Sequence, residues 1–349
     1  MRAVYTTNYT DCASNFSGVT VGTLPTPEVV TAGTLLLSIA ASSVNPLDWE
    51  LLDGKTFGPL TFPHGMGCDF VGTVIATNGS KDFQVGDKVF GAGASPGPWS
   101  EVAMVSETRA SHVPKGITFN DTELATLPVV GYTMYQALEF CKGCFSTSRR
   151  AANRSVVAIA SGTGGTGTAG VQLAKAFGAT HVVTTAGGAD GETLMRRLGA
   201  DRVVDYKTDD LLDVLSEDSI DLFIDNFGYD PDRALRAVRA GGAWVSIMMY
   251  PTETMPSFRK PGVTNVTFGA NASRTQDLDA MGAMMLDGKL RPVLGRAFAM
   301  EQAPAALLLD RHGGHYFGKI GLRGFGVEVV GGLSGAKGRG TRRSRAGPV

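Results

Sequence analysis

The sequence predicts an α/β protein, a doubly wound parallel sheet preceded by a mainly β domain. Three observations predict it. Strand, glycine turn and helix patterns follow one another across residues 155–178. A β–α alternation then runs on to about residue 268. Residues 1–125, by contrast, are short segments rich in Val, Ile, Leu and Thr, broken by Gly and Pro.

The stretch 155–178 reads SVVAIASGTGGTGTAGVQLAKAFG, and the chain is organised around it. Val156, Val157, Ala158, Ile159 and Ala160 form a continuous apolar run, the pattern of a central parallel strand buried on both faces. Gly162, Gly164 and Gly167 follow at G-x-G-x-x-G spacing, with an extra Gly165. Gly170, Leu173, Ala174 and Phe177 then recur at helical spacing. A dinucleotide site needs glycines there for a tight turn, for close approach of backbone to pyrophosphate, and for close helix–strand packing. The helix start supplies unpaired N–H groups and a positive dipole end. In a chain with 46 glycines the spacing alone carries little. The flanking strand and helix are what make it a cofactor site.

Composition sets the outer limits. The chain has 349 residues, enough for two domains, with 43% hydrophobic and 19% charged residues. A net charge of −1 supplies no global field toward nucleic acid or an anionic membrane, so neither is expected as a partner. The N-terminal MRAVYTTNYT has no apolar core of a signal peptide, and the aliphatic segment at 35–41 is too short to span a bilayer. A cytoplasmic enzyme is the expectation. Four cysteines (Cys12, Cys68, Cys141 and Cys144) are too few for a disulfide scaffold. Cys141 and Cys144 form a C-x-x-C without a second ligand pair nearby; it reads as two incidental thiols, with a redox pair as the alternative.

In the first domain, strands are expected near 34–41, 70–76 and 88–91. Three local patterns stand out there: SVNPLDW at 43–49, GMGCDFVG at 65–72, and FQVGDKV at 83–89 followed by Trp99-Ser100-Glu101. Asn45-Pro46 restricts the backbone, Asp69 is placed to satisfy backbone donors between glycines, and Gly86-Asp87 suits a hairpin turn. Pro128 and Gly131 punctuate the crossover, with a helix expected from Tyr132. Beyond the first strand of the parallel sheet, further strands are expected at 181–185, 202–206, 221–225, 243–248 and 263–268, with helices at 192–198 and 231–240. Asn226-Phe227-Gly228 follows a strand at its carboxyl end, where open α/β sheets bind ligands. Residues 317–320 read as a strand returning to the first domain. Residues 331–349 carry five basic residues and no acidic one, the composition of a disordered basic tail.

In order, these patterns resemble the medium-chain dehydrogenase/reductase superfamily, and within it the zinc-independent quinone oxidoreductase branch. The resemblance spans about residues 1–325. It rests on V-N-P-x-D (Val44, Asn45, Pro46, Asp48), G-x-D-x-x-G (Gly67, Asp69, Gly72), the G-D-K-V turn, and L-P-x-x-G-x-T from Leu127 to Thr133. S-G-T-G-G-T-G, L-G-A-D-x-V-x-D-Y from Leu198 to Tyr206, and G-K at Gly318 and Lys319 complete it. The resemblance implies a GroES-like catalytic domain at 1–128, a Rossmann NADP-binding domain at 129–288 and a return to the catalytic domain at 289–330, with the cofactor in the cleft between the domains. The family is often homodimeric through the Rossmann domain, so a homodimer is expected.

It also implies roles. Asn45 and Asp48 would lie near the nicotinamide, as the candidate catalytic residues, and Thr133 by its carboxamide. Cofactor contacts would come from Gly162, Gly164, Gly165, Thr166, Gly167, Thr185, Ala186, Tyr206, Asn226, Gly318 and Lys319. Trp49 and Tyr132 are candidate walls for a small carbonyl or quinone substrate, or else plain core. An Asp with an ordinary pKa is ionised at neutral pH, so Asp48 is not expected to be the sole acid. The chain departs from relatives that carry Lys after Trp, having Trp49-Glu50, so water is the expected proton source. The places of two early zinc ligands hold Asn45 and Cys68, which do not make a tetrahedral zinc site. Ala186 stands where an NAD site places an acid, so NADPH is the expected cofactor, with Thr185 and Lys207 or Arg197 toward its 2′-phosphate and Asp190 as a helix cap. The expected activity is hydride transfer to a quinone or an α,β-unsaturated carbonyl. Reduction of an enoyl thioester or alkenal, and a non-catalytic NADPH-binding role, are the alternatives.

Overall fold

A computed structural model of the chain describes residues 1–27, 31–54, 59–145, 155–248, 259–313 and 316–326. The expected basic tail at 331–349 lies outside the described residues. Among them, no helix is long and apolar enough to cross a membrane.

The strand at Val156–Ile159 is buried along its whole length. Val157 and Ile159 enter one hydrophobic core while Val156 and Ala158 enter a second, on the opposite face. That two-sided burial follows from the alternation of side chains along a strand. Among the described residues, six parallel strands build the sheet in the order Arg202–Asp205, His181–Ala186, Val156–Ile159, Ile220–Asp225, Val238–Ser246, Thr264–Thr267. The chain steps outward from Val156–Ile159 in one direction and then returns to its other side. The crevice at this reversal, beyond the carboxyl ends of the strands, is where a doubly wound sheet binds ligands.

The first domain holds a three-stranded sheet, Val19–Thr23 beside Arg2–Thr6 beside His64–Gly65. Its larger sheet has seven strands among the described residues, built around Thr34–Ser43, which pairs with both Asp69–Thr77 and Val102–Ser106. Lys88–Ala92 and Ala110–His112 extend it on one side. On the other side two late strands complete it: Lys319–Arg323 runs antiparallel to Thr34–Ser43 and parallel to Leu294–Ala299. The returning strand thus forms slightly later than the expected 317–320.

Several element ends differ from expectation for local reasons. The crossover helix, Pro128–Phe140, begins at Pro128 instead of Tyr132, because proline suits the first helical position. The helix expected at 192–198 starts at Gly188. The helix expected at 231–240 stops at Ala237, and the chain passes directly into Val238–Ser246.

Candidate active site

The glycine turn closes against its neighbours more tightly than any side chain would permit. A Cβ on Gly162 would lie 2.2 Å from Thr184 Oγ1, and one on Gly167 would lie 2.1 Å from the Ser161 carbonyl oxygen. Gly165 leaves room for the Lys319 stem, whose Cδ would be 2.5 Å from an added Cβ. Ser161 takes a left-handed φ of 51°, an uncommon conformation that its surroundings must hold in place. Two bonds from the next strand do so: Ser161 N–H donates to Thr185 Oγ1 at 3.0 Å, and Gly162 N–H donates to the Thr185 carbonyl at 3.0 Å. The helix Gly165–Ala176 then starts with Gly164 at its cap position and no side-chain acceptor. The first N–H groups of a helix have no intrahelical carbonyl, so this end is open to a phosphate. The returning segment is stitched on at the same place, with Gly318 N–H donating to the Thr163 carbonyl at 2.8 Å.

A cleft of about 840 Å³ lies over the turn. Of the expected cofactor residues, Gly164, Gly165, Thr166, Thr185, Tyr206, Asn226, Gly318 and Lys319 line it. Gly162 and Gly167 lie behind its surface, where they permit the close packing described above. Asn226 donates from Nδ2 to Thr166 Oγ1 at 3.0 Å, while its Oδ1 is buried and unpartnered, a polar atom suited to receive a ligand's donor. Lys207 lines the cleft and Arg197 does not. Ala186 is buried behind the wall. Asp190 lies in the first turn of its helix without capping it. The helix's Gly188 N–H instead donates to Asp205 Oδ2 at 3.1 Å. Lys207 N–H takes the other oxygen of Asp205 at 3.0 Å.

Asn45 and Asp48 do not line the cleft. They belong to a buried polar cluster behind it, drawn from four segments. Lys319 is only 6% exposed, and its ammonium donates to the Val44 carbonyl and, at 2.6 Å, to Asn45 Oδ1. The other end of the same amide, Asn45 Nδ2, donates to Asp69 Oδ2 at 2.7 Å. Asp69 also accepts from Ser43 Oγ at 2.6 Å and from Val129 N–H at 2.7 Å. It therefore satisfies one backbone donor and two side chains, and the Asn45 amide bridges a cation and a carboxylate. Burial raises the Asp69 pKa, opposed by the Lys319 charge and these three hydrogen bonds.

Asp48 Oδ2 accepts the Asn45 N–H at 2.7 Å. Burial pushes its carboxyl up to about 8, against that hydrogen bond and the Lys319 charge, so it is no ordinary ionised aspartate. The folded protein then keeps a proton that the unfolded chain releases above its ordinary value of 3.8. The stability that Asp48 contributes is present in acid and is lost as pH rises through about 8. Asp48→Asn keeps the acceptor and never ionises. Urea unfolding of the two proteins should therefore show the variant gaining on the wild type between about pH 5 and about pH 9. An equal difference at both pH values would mean that Asp48 does not titrate in that range.

Thr133, Trp49 and Tyr132 do not line the cleft. Thr133 Oγ1 donates to the Val129 carbonyl one helical turn back. Tyr132 is 1% exposed within the core, its hydroxyl without a partner among the described residues. Trp49 Nε1–H donates to Asp310 Oδ2 at 3.0 Å, and the Arg311 guanidinium stacks over its ring. Sequence reasoning missed Asp310 and Tyr316, which do line the cleft and share a hydrogen bond, Tyr316 O–H donating to Asp310 Oδ1 at 3.0 Å. The signal for Tyr316 was its place three residues before Lys319.

Comparison with known proteins agrees with this architecture. Residues 31–161 match the alcohol dehydrogenase GroES-like domain family, and residues 198–320 match the zinc-binding dehydrogenase family. The chain is 30% identical over 332 residues to the mitochondrial NAD(P)H oxidoreductase RTN4IP1 of Mus musculus, covering 82% of this chain and 80% of that protein. It is 28% identical over 311 residues to the trans-enoyl reductase pgmF of Aspergillus terreus, covering 76% and 79%. The quinone oxidoreductase from Coxiella burnetii superposes with a TM-score of 0.76 at 26% identity, over 93% of this chain and 99% of that one. Both domains are matched in order, and one relative is matched over most of both lengths. The chain belongs to the medium-chain dehydrogenase/reductase superfamily, as a quinone-oxidoreductase-like oxidoreductase of the nicotinamide-dependent kind.

Proposed function

We propose that this chain reduces a quinone or an α,β-unsaturated carbonyl with NADPH and without zinc. The observation that carries the reading is Lys319, a buried lysine that lines the cleft beside the glycine turn. Two of its donors are held by Val44 and Asn45. A lysine has three, so one is left to meet an oxygen that gains negative charge. The bound nicotinamide supplies the hydride. The chain's own part is to orient both partners and to stabilise the oxyanion.

The same residues do not fit a zinc ion. Asn45 spends its amide oxygen on Lys319 and its nitrogen on Asp69. Burial pushes the Cys68 thiol up, away from the thiolate that zinc requires. A metal cation here would also face the Lys319 charge.

For the cofactor, the choice of NADPH rests on charge. The place of the ribose-binding acid holds a buried methyl group, Ala186. Thr185 accepts the Ser161 N–H and retains its own proton to donate. Lys207 stands on the rim, and both Asp205 oxygens face backbone donors.

The test follows NADPH and NADH oxidation by the purified protein with an ortho-quinone, a para-quinone, an enone and an enoyl thioester. NADPH should be preferred, and deuteride on its reactive carbon should appear on the β-carbon of a reduced enone. Ala186→Asp should shift preference toward NADH by roughly tenfold or more, from repulsion of the 2′-phosphate. Wild-type preference for NADH, or a product without deuterium at that carbon, would overturn the reading. Turnover confined to the enoyl thioester would move the substrate class to thioesters.

A further inference from the structure

The C-x-x-C pair is set apart from the cleft and is used by nothing described so far. Cys141 ends the helix Pro128–Phe140 with φ −94° and ψ 6°, and Cys144 lies in the short helix Lys142–Phe145 that follows. Cys144 N–H donates to the Cys141 carbonyl at 2.8 Å, a bond from residue i+3 to residue i. This is the tight 3₁₀ type of turn. It rises about 2 Å per residue and eclipses i with i+3, so the two Cα atoms stand about 6 Å apart on one side of the chain. A disulfide spans about 4.4–6.8 Å between Cα atoms. Cys141 is fully buried and Cys144 partly exposed, and both are free.

We propose that Cys141 and Cys144 form a thiol–disulfide couple, a reversible oxidation site for small-molecule disulfides. Cys144 is the attacking sulfur, because it is the one that solvent reaches. The neighbouring Cys141 thiol draws the Cys144 pKa down, against burial and the Asp221 charge. That direction favours the thiolate, the form that attacks a disulfide.

In the first step the Cys144 thiolate attacks one sulfur of the small disulfide. A mixed disulfide forms and one small thiolate leaves. That thiolate takes the Cys141 proton. Cys141 then attacks the Cys144 sulfur and expels the second small thiolate, which is protonated by solvent with the proton that Cys144 lost. Two protein thiols are oxidised, and one small disulfide is reduced to two thiols. The buried Cys141 is the resolving sulfur, reached only from Cys144.

The test equilibrates the full chain with mixtures of oxidised and reduced glutathione near neutral pH, then quenches in acid, alkylates, and reads intact mass and peptide maps. The expected product carries two alkyl groups fewer than the alkylated dithiol and one peptide cross-link joining 141 to 144, reversed by dithiothreitol. Its fraction should follow the ratio of oxidised glutathione to the square of reduced glutathione. Cys141→Ser should stop at a glutathione adduct on Cys144, and Cys144→Ser should leave Cys141 unmodified. A wild-type protein that stops at the adduct, cross-links a different pair, or stays reduced at high oxidised glutathione would overturn the proposal. The wild-type map decides the matter even where a variant fails to fold.

Discussion

Lys319→Met will lower kcat/KM for the hydride acceptor by roughly 100- to 1,000-fold, the loss typical of removing one donor from a developing oxyanion. Methionine retains most of the stem beside Gly165, so the glycine turn keeps its shape. Affinity for the nicotinamide cofactor should therefore change far less than turnover, and stopped-flow single-turnover rates with a separate fluorescence titration will divide the two. The buried cluster is also disturbed, because Val44 and Asn45 lose their donor. A thermal melt must accompany the kinetics. A fall in kcat/KM below about tenfold, in a protein that remains folded, would assign Lys319 to structure and remove the observation that carries the oxyanion role.

Asp69→Ala will cost about 3–5 kcal/mol of stability, the range for removing one member of a buried, hydrogen-bonded charge cluster. The substitution orphans Ser43 Oγ, Asn45 Nδ2 and Val129 N–H together, and removes a carboxylate that faces the Lys319 charge. An unpaired buried charge costs more than a lost neutral hydrogen bond. Equilibrium denaturation monitored separately by tryptophan fluorescence and far-ultraviolet dichroism will show whether both domains weaken together. Asp69 binds the first turn of the helix Pro128–Phe140 as well as its own sheet, so loss should spread across the domain boundary. A cost under about 1 kcal/mol would mean that the cluster rearranges freely.

How much of this was legible in the chain depended on the range of the forces involved. The strand, turn and helix at 155–178 could be read because each glycine is required by contacts within a few residues or with the adjacent strand. Lys319 could be named as a site residue from its G-K pair. Its partners Val44 and Asn45 could not be, nor Asp69 and Val129, which join the cluster through Asn45 and Asp69, because all of them meet over large sequence separations. Asn45 and Asp48 illustrate the difference. Both were read near the site, yet they stand behind the wall, where burial changes the acidity that an exposed Asp48 would have. Helix phase decided the aromatic residues. Val130 faces the cleft, whereas Tyr132, two residues on, points into the core. Trp49 is occupied by Asp310 and Arg311, from a helix far along the chain that no local pattern pairs with it.

The strand Lys319–Arg323 lies inside its sheet, between Leu294–Ala299 and Thr34–Ser43. A ribosome therefore delivers the first domain's last structural strand only after the whole nucleotide domain has emerged. During synthesis the parallel sheet has all its strands and can close first, whereas residues 41–43 at the end of Thr34–Ser43, beyond its pairing with Val102–Ser106, wait with their outer hydrogen-bonding groups unmet. That waiting edge is the stage at which the nascent chain is most open to mispairing. A premature stop before residue 319 would leave it permanently in that condition, and would remove a wall of the cleft in the same stroke.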